Sequence, residues 1–283
     1  AGRRKGLPGP RRSGTSYFNA GEIVWTGCEL SKLEVHILAS GSDGNCTVVR
    51  CDDTTIMLDA GLSGRRITTL MGRAGIGPEE LTAILLTHEH SDHVKGAGIL
   101  SRRYNVPVHA NENTLMSSNI GALPQTMVFR TMSTFSIGPL TVRPLPISHN
   151  AAEPNAFHIA CGGRSMLLAT DLGVVSNEVF ATLRDVDLAM IEANHDLNML
   201  IHGPYPPILK TEIRSERGHL SNIDCARALW ATTREGRKIF LAHLSKNNNT
   251  PELARRTVAR TLCCCEDVLD CMSDPEDVRS IVL

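Results

Sequence analysis

No stretch of this 283-residue chain approaches the roughly 18 consecutive apolar residues that a membrane-spanning helix needs. Its first residues also lack the positively charged flank and apolar segment of a secretory signal, so a soluble cytoplasmic protein without a membrane role is expected. An excess of charge of one sign is missing too: 29 Lys and Arg against 30 Asp and Glu leave a net charge of -1. The balance is uneven, because residues 1–33 hold six bases and two acids, which leaves 23 bases against 28 acids, or -5, in the remainder. A mildly acidic body repels phosphates, so any nucleic-acid binding requires a local basic strip or bound cations. The nine cysteines form no Cys-x-x-Cys pair, and Cys263, Cys264 and Cys265 are adjacent. That pattern excludes a disulfide framework and the usual zinc-thiolate spacing. These cysteines, with Cys271 nearby, read as small buried hydrophobes in a reducing compartment. What remains, 42% apolar, 21% charged and 4% aromatic residues, is ordinary for a globular protein with a sizeable core.

Residues 1–33 are rich in Gly, Pro and Arg without a sustained hydrophobic period, and read as a disordered basic leader. From residue 34 to 283 the pattern is that of one domain. Strands are expected at 34–40, 46–50 and 55–59, antiparallel and joined by short turns, the first running into the glycine-rich turn 41–45. Helical periodicity follows at 65–75, an apolar strand at 81–86, and a helix at 92–104 capped by Ser91. Further strands are expected at 106–110, 140–147, 157–161, 165–170, 186–193 and 238–244, and helices at 177–183, 222–233 and 250–265. Strands first and interleaved helices later indicate an α/β layered sandwich, two sheets face to face with helices outside.

The densest chemistry is Thr87-His88-Glu89-His90-Ser91-Asp92-His93, where a buried strand ends and a helix begins. In extended backbone, positions two apart face the same side, so His88 and His90 can share one ion while Asp92 and His93 turn toward a neighbouring position. Imidazole nitrogens and carboxylate oxygens suit a divalent cation, and a hydrolytic site leaves a coordination position for water. His149, Asp171 and His243 each follow an apolar run and can complete such a site.

This set, with Asp59 in Leu58-Asp-Ala-Gly61, resembles the metallo-β-lactamase superfamily from about residue 33 to the C-terminus. The resemblance implies a four-layer αββα sandwich and two divalent ions, Zn or Mn, at its edge. It implies His88, His90 and His149 on one ion, Asp92, His93 and His243 on the other, Asp171 bridging, and Asp59 supporting from behind. Within the superfamily, residues 38–46, 90–96, 192–196 with 218–222, and 243–248 resemble the WalJ/YycJ-like branch of single-domain nucleases, which implies a DNA substrate and 5′ to 3′ exonuclease activity. The 72 residues from Asp171 to His243 leave no room for a β-CASP cap, and the 22 from His149 to Asp171 leave none for the protruding arm of tRNase Z. A true β-lactamase commonly has cysteine where Asp171 stands.

Glu192 and His219 resemble a pair that, in tRNase Z-like enzymes, protonates the leaving oxygen of a phosphodiester. Alternatively, His219 caps a helix that begins near Ser221 and Glu192 is its structural partner. Asp92 can orient the attacking water. Ser40, Ser42 and Asn45 of the glycine-rich loop, together with His195, Ser245 and Asn247, are candidate substrate contacts. Arg65, Arg66, Arg102, Arg103, Lys210, Arg214, Arg217 and Lys246 could track a strand if they share the metal face. His36, His109, His158 and His202 have no partner pattern and read as packing or surface residues. A thioesterase or lactonase of the glyoxalase II kind would use the same metal ligands, and an RNA-processing nuclease related to tRNase Z is the other rival. Oligomeric state is open.

Overall fold

Strands such as Leu188–Glu192 (LAMIE) and Thr54–Leu58 (TTIML) are buried on both faces, so each must be covered twice. The computed structural model describes residues 2, 31–274 and 276–283, and answers that requirement with two seven-stranded sheets among those residues. In the first, β1 (Glu34–Ala39), β2 (Cys46–Cys51), β3 (Thr54–Leu58), β4 (Leu81–Leu85), β5 (Val108–Ala110) and β6 (Thr126–Val128) lie in chain order, with β14 (Arg279–Val282) added beside β1. The second runs β13 (Leu269–Cys271), β12 (Lys238–Ala242), β11 (Leu188–Glu192), β10 (Arg164–Ala169), β9 (Asn155–Cys161), β8 (Leu140–Pro146), β7 (Phe135–Ile137).

Three separate apolar cores fill the spaces between four layers. Alternate residues, Val35, Ile37, Ile56, Leu58, Met190 and Phe240 among them, meet in the middle core between the sheets. The intervening positions, such as Met57 and Ile84 on one side or Ala189, Ile191 and Leu241 on the other, pack against helices in the two outer cores. The period of two thus sends one face of each strand to its sister sheet and the other to a helical layer. The αββα expectation is met.

The departures have local causes. The helix expected over 92–104 is two, Ser91–Val94 and Ala97–Tyr104, and the residue at the first cap position is His90, not Ser91. The break occurs because Gly96 N donates to Ala60 O at 2.7 Å instead of continuing the helical ladder. Leu33, assigned to the leader, is fully buried and accepts a hydrogen bond from Leu283 N at 2.9 Å. The rest of the disordered-leader expectation, apart from Gly2 and residues 31–33, falls outside the described residues. Cys51 and Cys161 form a disulfide joining β2 to β9 across the sandwich, contrary to the expectation of unpaired thiols. Their Cα atoms are 6.7 Å apart although 110 residues separate them, which spacing alone does not reveal. Cys263, Cys264 and Cys265 are exposed rather than buried, because they end the helix Pro251–Leu262 and Cys263 adopts the left-handed C-terminal position. No helix among the described residues is long and apolar enough to cross a membrane.

One glycine is dictated by the site. Gly61 N donates to Asn45 O, and a Cβ at Gly61 would stand 1.6 Å from the carbonyl oxygen of Asp92. The Gly61→Ala variant is therefore expected to lose about 3 kcal/mol of stability in urea unfolding and to displace Asp92. An unchanged midpoint would show that the Asp92 backbone yields freely.

Candidate active site

β3 runs parallel to β4, and β10, β11 and β12 run parallel to one another, so within each sheet the C-terminal ends share an edge. β8 and β10 both pair antiparallel with β9, so β8 ends on that edge too. The residues singled out by sequence follow these ends: Asp59 after β3, the His88–His93 segment after β4, His149 after β8, Asp171 after β10, Glu192 closing β11, and His243 after β12. Three of them, Asp59, Asp171 and His243, have positive φ of 57°, 59° and 54°. This left-handed conformation is uncommon for residues with side chains and less so for Asp and His than for most. It turns the chain sharply at the strand end.

The seven proposed ligands converge. One nitrogen or oxygen from each of His88, His90 and His149 lies within 4.8 Å of the others, and so do those of Asp92, His93 and His243. Asp171 reaches both sets, with Oδ2 3.2 Å from His93 Nε2 and Oδ1 3.5 Å from His243 Nε2 and 3.8 Å from His149 Nε2. Behind this array Asp59 Oδ2 accepts from His93 Nδ1 at 2.7 Å, and Asp59 Oδ1 accepts from Thr87 N at 2.8 Å. Thr87 Oγ1 lies 2.9 Å from His88 Nδ1, so one buried threonine braces both imidazoles. His90 Nε2 donates to Asn150 O at 3.0 Å and His149 Nδ1 to Gly218 O at 3.2 Å.

The electrostatics are those of a cation site. Burial holds His88 well below the ordinary imidazole value, so it stands neutral, as a metal ligand must. Burial opposes charge on His93 and His243 as well, but Asp171 prevails, raising His93 well above its usual value and His243 to about 10. Asp171 is itself driven well down by His243 and His93 against its burial. Three buried atoms, His88 Nε2, Asp171 Oδ2 and His243 Nε2, have no hydrogen-bond partner among the described residues. Unpaired donor atoms at such depth are costly unless something cationic meets them. Nitrogen and oxygen donors in this mixture fit divalent metal.

Glu192, fully buried, does more than the sequence indicated. Its Oε1 accepts from His219 Nδ1 at 2.8 Å and from His243 Nδ1 at 2.9 Å, while Oε2 accepts from Leu172 N and Leu220 N. These partners outweigh burial and bring its carboxyl down to about 2. Burial opposes charge on His219, but Glu192 raises its pKa above the ordinary value. The helix Asn222–Ala231 is capped by Ser221, whose Oγ accepts from Asp224 N, so His219 is not its cap.

His90, Asp92, His149, Asp171, His219 and His243 line a cleft of about 380 Å³ together with Ser42. Other substrate candidates are placed differently. Ser40 Oγ accepts from His243 N, Asn45 Nδ2 lies 3.0 Å from His93 Nε2, and Ser245 Oγ accepts from Asn248 N. Ser40, Ser42 and Ser245 border a second groove, and exposed Asn247 donates to Tyr205 Oη. His195 is 1% exposed and does not line the cleft, contrary to the expected strand contact. Of these basic residues, Arg217 alone lines this cleft; Arg102 is bonded to Ile120 O and Ala122 O, and Lys210 to Ile201 O and Gly203 O. Sequence reading missed Thr87, the cleft wall Pro207–Ile213, and Asn194, whose Nδ2 donates to His243 O. The Pro206-Pro207 step before that wall was the available helix signal.

The metallo-beta-lactamase superfamily model matches residues 39–230. The chain belongs to that superfamily. Two curated relatives extend the match: Exodeoxyribonuclease YycJ of Bacillus anthracis is 40% identical over 235 residues, 81% of this chain and 89% of its own. Exodeoxyribonuclease WalJ of Streptococcus pneumoniae is 40% identical over 233 residues, 80% of this chain and 87% of its own. Among solved structures, the metallo-beta-lactamase fold protein YhfI of Bacillus subtilis superposes with a TM-score of 0.70 at 17% identity, covering 88% of this chain and 99% of that one, which speaks for the fold. Superfamily members bind divalent metal, and the clustered His and Asp side chains above are candidate ligands for it in this chain. Removing metal with a chelator is accordingly expected to abolish hydrolysis and lower the calorimetric Tm by about 5–15 °C, because bound ion stabilises only the folded chain. An unshifted Tm would argue that the cluster holds no ion.

Proposed function

We propose that this chain is a metal-dependent DNA exonuclease that degrades from the 5′ end in the cytoplasm, with two divalent ions, zinc or manganese, at the cleft. The observation that carries the reading is the Glu192–His219 pair, 2.8 Å apart, beside the clustered ligands in a chain 40% identical to named exodeoxyribonucleases. His88, His90 and His149 would hold one ion, Asp92, His93 and His243 the other, and Asp171 would touch both. Such ions supply an activated water and neutralise charge on the phosphoryl oxygens.

The remaining work belongs to side chains. Asp92, partly exposed beside His93 and His243, lines the cleft and is placed to orient the attacking water. Cleavage expels a basic alkoxide, and His219, whose pKa Glu192 raises, is the side chain placed to give it a proton. Glu192 simultaneously fixes His243 through Nδ1, so proton donor and ligand share one carboxylate. A thioester, which expels a far less basic thiolate, has no comparable need for the His219 proton. Metal-reconstituted protein incubated with 5′-phosphorylated DNA, RNA and thioester panels is expected to consume DNA alone at appreciable rate; preferential thioester or RNA turnover would overturn the reading.

A further inference from the structure

The cleft has two kinds of wall. One is the metal-ligand array; the other is the helix Pro207–Ile213 and the turn after it, which contribute Leu209, Glu212, Ile213 and Arg217. Leu209 and Ile213 are four residues apart and so share a helix face. Arg217 is the one Lys or Arg among the lining residues.

Its guanidinium is already oriented. Nε and Nη2 both donate to the backbone oxygen of His149 at 3.3 Å. His149 Nδ1 returns a bond to Gly218 O, the next residue, so the loop carrying Arg217 is stitched to the ligand loop on both sides. A guanidinium has five N–H groups in a rigid fork. The Nη1 edge has no partner among the described residues, and Arg217 lines the cleft. Pre-fixed forks of this kind lose little freedom on gripping a phosphate.

Resting on the nuclease reading, we infer that Arg217 with Leu209 and Ile213 forms a subsite for the nucleotide next to the scissile bond. Arg217 takes that nucleotide's phosphate, and the two aliphatic side chains take its sugar and base edge. The site selects a polynucleotide over an isolated diester, because a single diester has no second phosphate to offer.

The test compares Arg217→Ala, Arg217→Lys and Leu209→Ser on DNA and on bis(p-nitrophenyl) phosphate, with metal content measured for each. On DNA, Arg217→Ala is expected to raise KM about 10- to 100-fold with kcat within about threefold, and to flatten the dependence of log affinity on log salt by about 0.7. On the small diester, which offers no second phosphate, its loss should be clearly smaller than on DNA, with metal content retained. Arg217→Lys should restore the salt slope but only part of KM, since an ammonium cannot span His149 O and a phosphate as the fork does. Leu209→Ser should raise KM without altering the salt slope. An unchanged KM and slope in Arg217→Ala, or equal losses on both substrates with loss of metal, would overturn the inference, the latter by reducing Arg217 to a brace for His149. Wild type that cleaves the small diester but not DNA would overturn the nuclease reading and the subsite with it.

Discussion

Asp171→Ala is expected to lose bound metal and to cut DNA hydrolysis by more than the roughly 100- to 1,000-fold that removal of a single transition-state donor costs. The reason is its position. Its oxygens reach His93 and His243 on one side and His149 on the other, so no other carboxylate of the cleft can balance charge for both sets of imidazoles. The backbone there is held at φ 59°, so the carboxylate is presented by a turn built for it. Without that carboxylate nothing spans the two sets of imidazoles to share and balance the charge of a divalent ion, so the cluster is expected to hold ions only weakly. His90→Ala should lose metal and activity as well, through the other set of ligands. Plasma-source metal analysis beside a gel assay decides the matter; full activity in purified Asp171→Ala would end the proposed mechanism.

His219→Ala carries the second large effect, and of a different kind. Both sets of ligands remain, so metal content should match wild type. Cleavage of natural DNA should nonetheless fall about 100- to 10,000-fold, the usual contribution of a positioned acid. A diester with a p-nitrophenol leaving group needs no protonation and should lose less than about tenfold. The sign of the pH effect follows from the same role. A proton donor works below its pKa, and Glu192 holds that of His219 up, so wild-type kcat should fall on the alkaline side and the variant should lack that limb. Equal losses on both substrates would remove the donor role. Glu192→Gln is expected to be less selective, because Glu192 also binds His243 Nδ1 at 2.9 Å and its loss should release metal too.

Much of the site was legible in sequence because it lies at strand ends. An apolar run followed by His or Asp marks His149, Asp171 and His243, and the His88–His93 segment follows one such run. Parallel strands then carry those ends to one edge. What was not legible depends on meetings across the sandwich. Cys51 and Cys161 pair because two sheets stack, and Gly96 breaks a helix because Ala60 O comes close. His195 lies within the same motif as Glu192, yet its strand bridge to Ser221 turns it inward, where it is held at a pKa of about 4 by burial. The wall Pro207–Ile213 is exposed and irregular in hydropathy, so its periodicity says little, although it frames the cleft.

Anomalous diffraction from crystals of the metal-loaded protein tests the central claim most directly. The account predicts two peaks, one among His88, His90 and His149 and one among Asp92, His93 and His243, with Asp171 reaching both. Peaks elsewhere in the molecule, or none in the cleft of an active preparation, would contradict it.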